Sequence, residues 1–181
     1  MPNSSGFILN STLGYSFIDR VGGYGSDNIN QAIWGPDGVS RKDIHAFHYG
    51  LVFNYRWILK EREKSKHDVT ITILRLGINK SINYTIALIG VGQIGTISLF
   101  DLKNKHWCYE LDTNFGLQFI GTLGYHQKLI PTGMVSITSI WMKNRFGFGF
   151  EASYAAGEKR VKEFLYKEKM MLGAIKLGFI L

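Results

Sequence analysis

A strict two-residue alternation of side-chain character runs through long stretches of this chain, and that period belongs to extended strands with two unlike faces. From His45 to Leu59 the odd positions read His45, Phe47, Tyr49, Leu51, Phe53, Tyr55, Trp57 and Leu59, and the even ones Ala46, His48, Gly50, Val52, Asn54, Arg56 and Ile58. The first set is aromatic and aliphatic; the second is small or polar. The division recurs from Trp107 to Tyr125, where Trp107, Tyr109, Leu111, Phe115, Leu117, Phe119, Leu123 and Tyr125 oppose Glu110, Asp112, Asn114, Gly116, Gln118, Thr122 and Gly124. Shorter copies at 7–17, 135–141, 146–154 and 174–181 bring the number of strands to six. Segments 69–79 and 82–99 are β-rich, but their alternation slips and their faces stay unassigned. They make eight.

Composition agrees with an all-β chain. Gly accounts for 21 of 181 residues, well above the roughly 7% of an average protein, and each helix-interior Gly costs about 1 kcal/mol, so a helical bundle is disfavoured. The single Cys108 excludes an intramolecular disulfide framework. Pro2, Pro36 and Pro131 are placed outside the strands, where a missing N–H does no harm. The expected connections are a Gly/Asp/Asn/Ser-rich loop at 21–44, a charged turn at 60–68, links at 79–82 and 102–106, a loop at 126–132, a tight turn at 143–145 and a charged loop at 157–169. Strands joined so directly form an antiparallel meander. Residues 1–6 are expected to be a flexible tail, and 7–181 a single domain.

An eight-stranded meander closes into a barrel to remove its edges, and two arrangements of its faces compete. With the apolar face inside, Phe47, Tyr49, Phe53, Tyr55, Trp57, Phe115, Phe119, Phe146, Phe148 and Phe150 overfill an interior only just wide enough for side chains. With it outside, the lumen receives small residues together with His48, Asn54, Arg56, Glu110, Asp112, Glu151 and Lys176, whose opposite charges pair. The expectation is a closed eight-stranded antiparallel up-and-down transmembrane β-barrel. The alternative is a soluble, lipocalin-like barrel holding a small apolar ligand. Phe47, Tyr49, Tyr55, Trp57, Trp107, Tyr109 and Tyr125 lie near strand ends, where aromatic girdles meet the two membrane interfaces. Most segments reach the roughly 9–11 tilted residues that cross a bilayer.

On this strand pattern, and on a final strand Met171-Leu-Gly-Ala-Ile-Lys-Leu-Gly-Phe-Ile-Leu181 that closes on alternating apolar residues, the chain resembles the small eight-stranded outer-membrane barrels. That is the family of the OmpA transmembrane domain, OmpX and the opacity proteins. The resemblance covers residues 7–181 and implies a bacterial outer-membrane location. It implies lipids and the barrel-insertion machinery as partners, the latter recognising such a final strand, normally with a terminal aromatic; here Phe179 stands two residues before Leu181. No signal peptide is visible at Met1–Ser5, so a leader is expected to have been removed.

Competing motifs weigh less. Gly90-Val-Gly-Gln-Ile-Gly95 spells G-x-G-x-x-G, yet the following Thr96-Ile-Ser-Leu-Phe is β-branched and no βα alternation surrounds it. It is read as a Gly-rich strand, with no cofactor implied. The uncharged run Ser81–Phe100 has the length of a membrane helix, but Asn83, Gln93 and three Gly interrupt it. His45, His48, His67, His106 and His126 lack metal-ligand spacing, and His48 is read as a structural hydrogen-bonding group. Glu110 and Asp112 share a strand face in the manner of a catalytic pair, but pairing with Arg56, Arg75 or Lys176 is the expected use. An enzyme is not expected. The net charge of +7 admits acidic partners, and the cations Lys159, Arg160, Lys162, Lys167 and Lys169 mark a loop for anionic headgroups or a host or matrix ligand. A nucleic-acid partner is not expected, nor is an oligomer.

Overall fold

The computed structural model describes residues 6–23, 39–58, 66–101, 108–122, 129–161 and 164–181. The eight strands are β1 (Gly6–Gly23), β2 (Val39–Ile58), β3 (Lys66–Lys80), β4 (Thr85–Asp101), β5 (Cys108–Thr122), β6 (Ile130–Lys143), β7 (Phe146–Val161) and β8 (Phe164–Ile180). Each pairs antiparallel with its sequence neighbour, and β1 pairs with β8, so the sheet closes in the order β1 to β8. Closure gives every strand two partners and satisfies the backbone that an open sheet leaves at its edges. The Leu181 N–H donates to the Phe7 carbonyl at 3.0 Å, which brings the last residue to the start of β1 at what we call the terminus-side rim. The β6–β7 hairpin turns on this rim through Asn144, whose φ of 57° suits Asn. The Ser81–Tyr84 turn lies on the opposite, loop-side rim.

Side-chain direction selects between the two barrels. Phe115 and Trp57 are 62% and 58% exposed on the outer wall, while Glu110, Asp112, Arg56 and Lys176 are buried inside. The apolar-lined cavity of the soluble alternative is therefore inverted here.

Several boundaries differ from the sequence expectation. The supposed 21–44 loop contributes its ends to β1 and β2, and Lys66–Asp68 belong to β3. The 157–169 segment is no loop: β7 runs to Val161 and β8 starts at Phe164. The backbone ladder carries these strand ends, and it needs no contrast between their two faces. Pro131 falls within β6, opposite Phe119. As the second residue of its strand it is tolerated near the strand start. Pro2 and Pro36 lie outside the described residues, as do 102–106.

The G-x-G-x-x-G segment is part of β4, and no helix follows it. Gly92 has a φ of +63°, which a side-chain-bearing residue adopts with strain. It sits in a bulge where the β4–β5 register shifts between Val91 and Ile94. The β2–β3 register shifts at the same height, with Phe53 opposite Leu74 and Asn54 opposite Thr72, leaving Ile73 as the extra residue.

Candidate functional site

The lumen is stratified. At its terminus-side end Ile8, Ile97, Cys108, Ile140, Met142 and Ile180 form an apolar layer. Toward the loop side Ile18, Ile44, Ile86, Leu88, Ile120, Met134, Ala155 and Met170 form a second, with Tyr84 packed against it. Inward positions near both strand ends thus carry aliphatic residues, in addition to the small and polar ones read from the sequence.

Charged side chains lie between these layers and also beside the terminus-side one, where Asp68 stands opposite Ile97 and Glu110 opposite Ile140. The Arg56 guanidinium donates from Nε to Asp68 Oδ2 at 2.7 Å and from Nη1 to Glu110 Oε1 at 2.9 Å. Arg75 pairs with Glu151, and Lys176 Nζ lies 3.3 Å from Glu151 Oε2 while donating to Thr138 Oγ1 at 3.3 Å. Asp112 and Asn54 are buried, and among the described residues the Oδ1 of each has no hydrogen-bond partner. Pairing brings the buried charges close to balance, which buried ions require. Asp68 and Arg75 complete this network; Asp68 had been placed at the end of a charged turn, and Arg75 lay on a strand of unassigned face.

His48 does not contact the carboxylates. Its Nδ1 lies 2.9 Å from Asn79 Oδ1 and its Nε2 lies 3.1 Å from Thr12 Oγ1. Asn79 Nδ2 donates to Met170 Sδ at 3.9 Å, which leaves the amide oxygen to accept from Nδ1–H and Nε2 to accept from the Thr12 hydroxyl. Gly50 and Gly77 make room for the ring: a Cβ at Gly50 would stand 2.7 Å from His48 Nε2, and one at Gly77 2.9 Å from its Cε1. Hydroxyl, imidazole and amide follow the order of an activated nucleophile. However, Thr12, His48 and Asn79 are only 4%, 1% and 0% exposed, and a substrate has no access to the hydroxyl. Among the described residues no group of three His, Cys, Asp or Glu is arranged to hold a metal ion.

The outer wall carries two aromatic bands. Toward the termini Phe7, Tyr55 and Trp57 form one chain of ring contacts at 5.1 and 6.2 Å, and Phe100, Tyr109, Trp141 and Phe148 form another at 5.9, 5.5 and 5.8 Å. Toward the loops the Tyr15 hydroxyl lies 2.7 Å from His45 Nδ1, and Tyr15 meets Phe47 edge-on. Tyr49 is exposed two residues further along β2. Trp107 and Tyr125 lie outside the described residues.

Beyond the loop-side band the outward positions turn charged, with Lys80, Glu158 and Lys169 exposed there, and Asp43 as well. Inside, Arg20 Nη2 donates to both carboxylate oxygens of Glu168 at 3.0 Å. Of the cations assigned to a loop, Lys167 and Lys169 are exposed on β8, while Lys159 donates to the Leu129 carbonyl at 3.0 Å. Lys162 and the Arg160 side chain lie outside the described residues.

No family model matches the chain, and no curated protein resembles it in sequence. Solved structures similar to it are outer-membrane barrels. Neisserial surface protein A (NspA) has a TM-score of 0.48 at 11% identity, covering 98% of each chain. The outer membrane protein OprG from Pseudomonas aeruginosa has 0.46 at 9% identity, covering 98% of this chain and 97% of that one. Ail, the attachment invasion locus protein of Yersinia pestis, has 0.28 at 9% identity, over 94% of this chain and 99% of its own.

Proposed function

We propose that this chain is a bacterial outer-membrane protein, a monomer embedded in lipid that acts at its loop-side end as a surface binding, adhesion or structural protein, and not as an enzyme. The supporting observation is the outer wall. Between the two aromatic bands the outward positions, for example Leu13, Leu51, Ile71, Phe115, Ile137, Phe150 and Ile175, are apolar or small, and the charges at that height point inward. Such a surface is costly in water and suited to hydrocarbon. Outer-membrane lipids and the barrel-insertion machinery are the partners this placement requires. The exposed Lys167 and Lys169 at the loop-side rim suit an anionic headgroup or an acidic host or matrix ligand.

Partitioning tests the proposal. The purified protein should aggregate in detergent-free buffer, enter lipid vesicles from denaturant and migrate differently on gels before and after heating. A protein that stays monomeric and soluble without detergent overturns it.

A further inference from the structure

We propose that the Ser81–Tyr84 turn is itself a membrane contact, with Ile82 seated in the loop-side lipid interface; this rests on the outer wall facing hydrocarbon. Ile82 is 100% exposed. Tips of turns are ordinarily polar, and the base of this one is fixed by hydrogen bonds. The Ser81 N–H donates to the Tyr84 carbonyl at 2.9 Å, the Tyr84 N–H donates to Ser81 Oγ at 3.0 Å, and Lys80 Nζ donates to Thr85 Oγ1 at 2.9 Å. Tyr84 packs against the loop-side apolar layer and ties the turn to the lumen.

Register places the turn at the edge of the apolar wall. Lys80 lies opposite Phe47, an exposed ring of the loop-side band, so the turn begins where that band ends. The adjacent β1–β2 hairpin, and the β7–β8 hairpin across the barrel, rise further. The β1–β2 ladder continues beyond Tyr15 and Phe47 to Gly23 and Val39, and the β7–β8 ladder continues to Val161 and Phe164. The wall is thus lower at β3–β4 than at β1–β2 and β7–β8. An uncharged turn there, carrying one bare aliphatic side chain beside a lysine, matches the boundary of acyl chains and phosphates, where apolar and cationic groups are both favoured. The occupant is the bilayer, by continuity with the wall below.

A fluorophore attached at Ile82→Cys, after folding has buried Cys108, tests this in phosphatidylcholine/phosphatidylglycerol vesicles. Labels at Phe115→Cys, in mid-wall, and at Glu158→Cys, on the taller β7–β8 wall, serve as references. The expected result is strong quenching of the Ile82 site by a headgroup spin label, with several-fold less quenching by aqueous iodide than at Glu158. Iodide quenching at Ile82 equal to that at Glu158, with Phe115 still protected, overturns the proposal alone. If Phe115 is quenched by iodide as well, the membrane placement has failed instead. Should Ile82→Cys not fold, Asn83→Cys, exposed in the same turn, reports the same contact by the same criteria.

Discussion

Arg56 and Glu110 meet inside the barrel at 2.9 Å although β3 and β4 separate their strands around the wall. The contact spans the lumen, and Asp68 holds the other edge of the same guanidinium. Arg56→Met leaves two buried carboxylates without their cation and should lower stability by about 3–5 kcal/mol. Adding Asp68→Asn and Glu110→Gln should restore much of that loss. Urea unfolding of vesicle-embedded protein measures both. A single substitution that costs nothing would show that the contact contributes no stability.

The imidazole between Thr12 and Asn79 makes a spectroscopic prediction. With the Asn79 oxygen accepting, His48 carries its hydrogen on Nδ1, and ¹⁵N spectra of histidine-labelled protein should show that tautomer. Thr12→Val and Asn79→Leu should each destabilise by about 1–3 kcal/mol, the cost of an unmet buried polar group. An Nε2–H signal would reverse the direction of the chain.

Glycines differ according to the space around them. A Cβ at Gly149 would collide with the Ser139 carbonyl and the Ile140 backbone, whereas at Gly173, on the outer wall, it meets nothing within 4 Å. Gly149→Ala should cost roughly 1–3 kcal/mol, as overpacking does. Gly173→Ala should be neutral or slightly stabilising. Parallel unfolding titrations decide, and equal effects would show that the β6–β7 contact yields freely.

Lipid exposure of the wall predicts a penalty that water exposure does not. Phe115→Arg should cost about 2–4 kcal/mol in a bilayer if the site lies near the midplane. An arginine at an exposed site in water is nearly free. A vanishing penalty in vesicles would place Phe115 outside the hydrocarbon.

The cations of β8 carry the ligand prediction. The charge reversals Lys167→Glu and Lys169→Glu together should weaken retention of a sulfated polysaccharide by vesicles bearing the protein, and added salt should abolish the difference, because exposed charges are screened. Unchanged retention at low salt would remove these residues from the binding surface.

The outward face of six strands was legible because one alternation held along each of them. It failed in β3 and β4 for a structural reason: Ile73 and Leu74 both point outward, as do Val91 and Gly92, at facing bulges. A bulge reverses the phase of the pattern, so a constant period cannot follow it. The apolar end layers were hidden differently. Ile18 points inward directly after outward Phe17, and two apolar neighbours carry no alternation to read. Arg20 and Glu168 meet in a buried pair beyond the loop-side apolar layer, where the outward positions are charged too, so the sequence there shows no contrast of faces and reads as a loop over 157–169. The Thr12–His48–Asn79 chain joins three strands, and Asn79 belongs to one whose phase was lost.

The aliphatic layers and the paired charges packed along the axis make the molecule a filled post and not a pipe. Its enclosed charges share no solvent with either compartment while the post is intact, so electrolyte changes outside reach them only when the wall opens locally. Exchange with the lumen is then set by the frequency of such openings, a rate belonging to the fold and not to any passing solute.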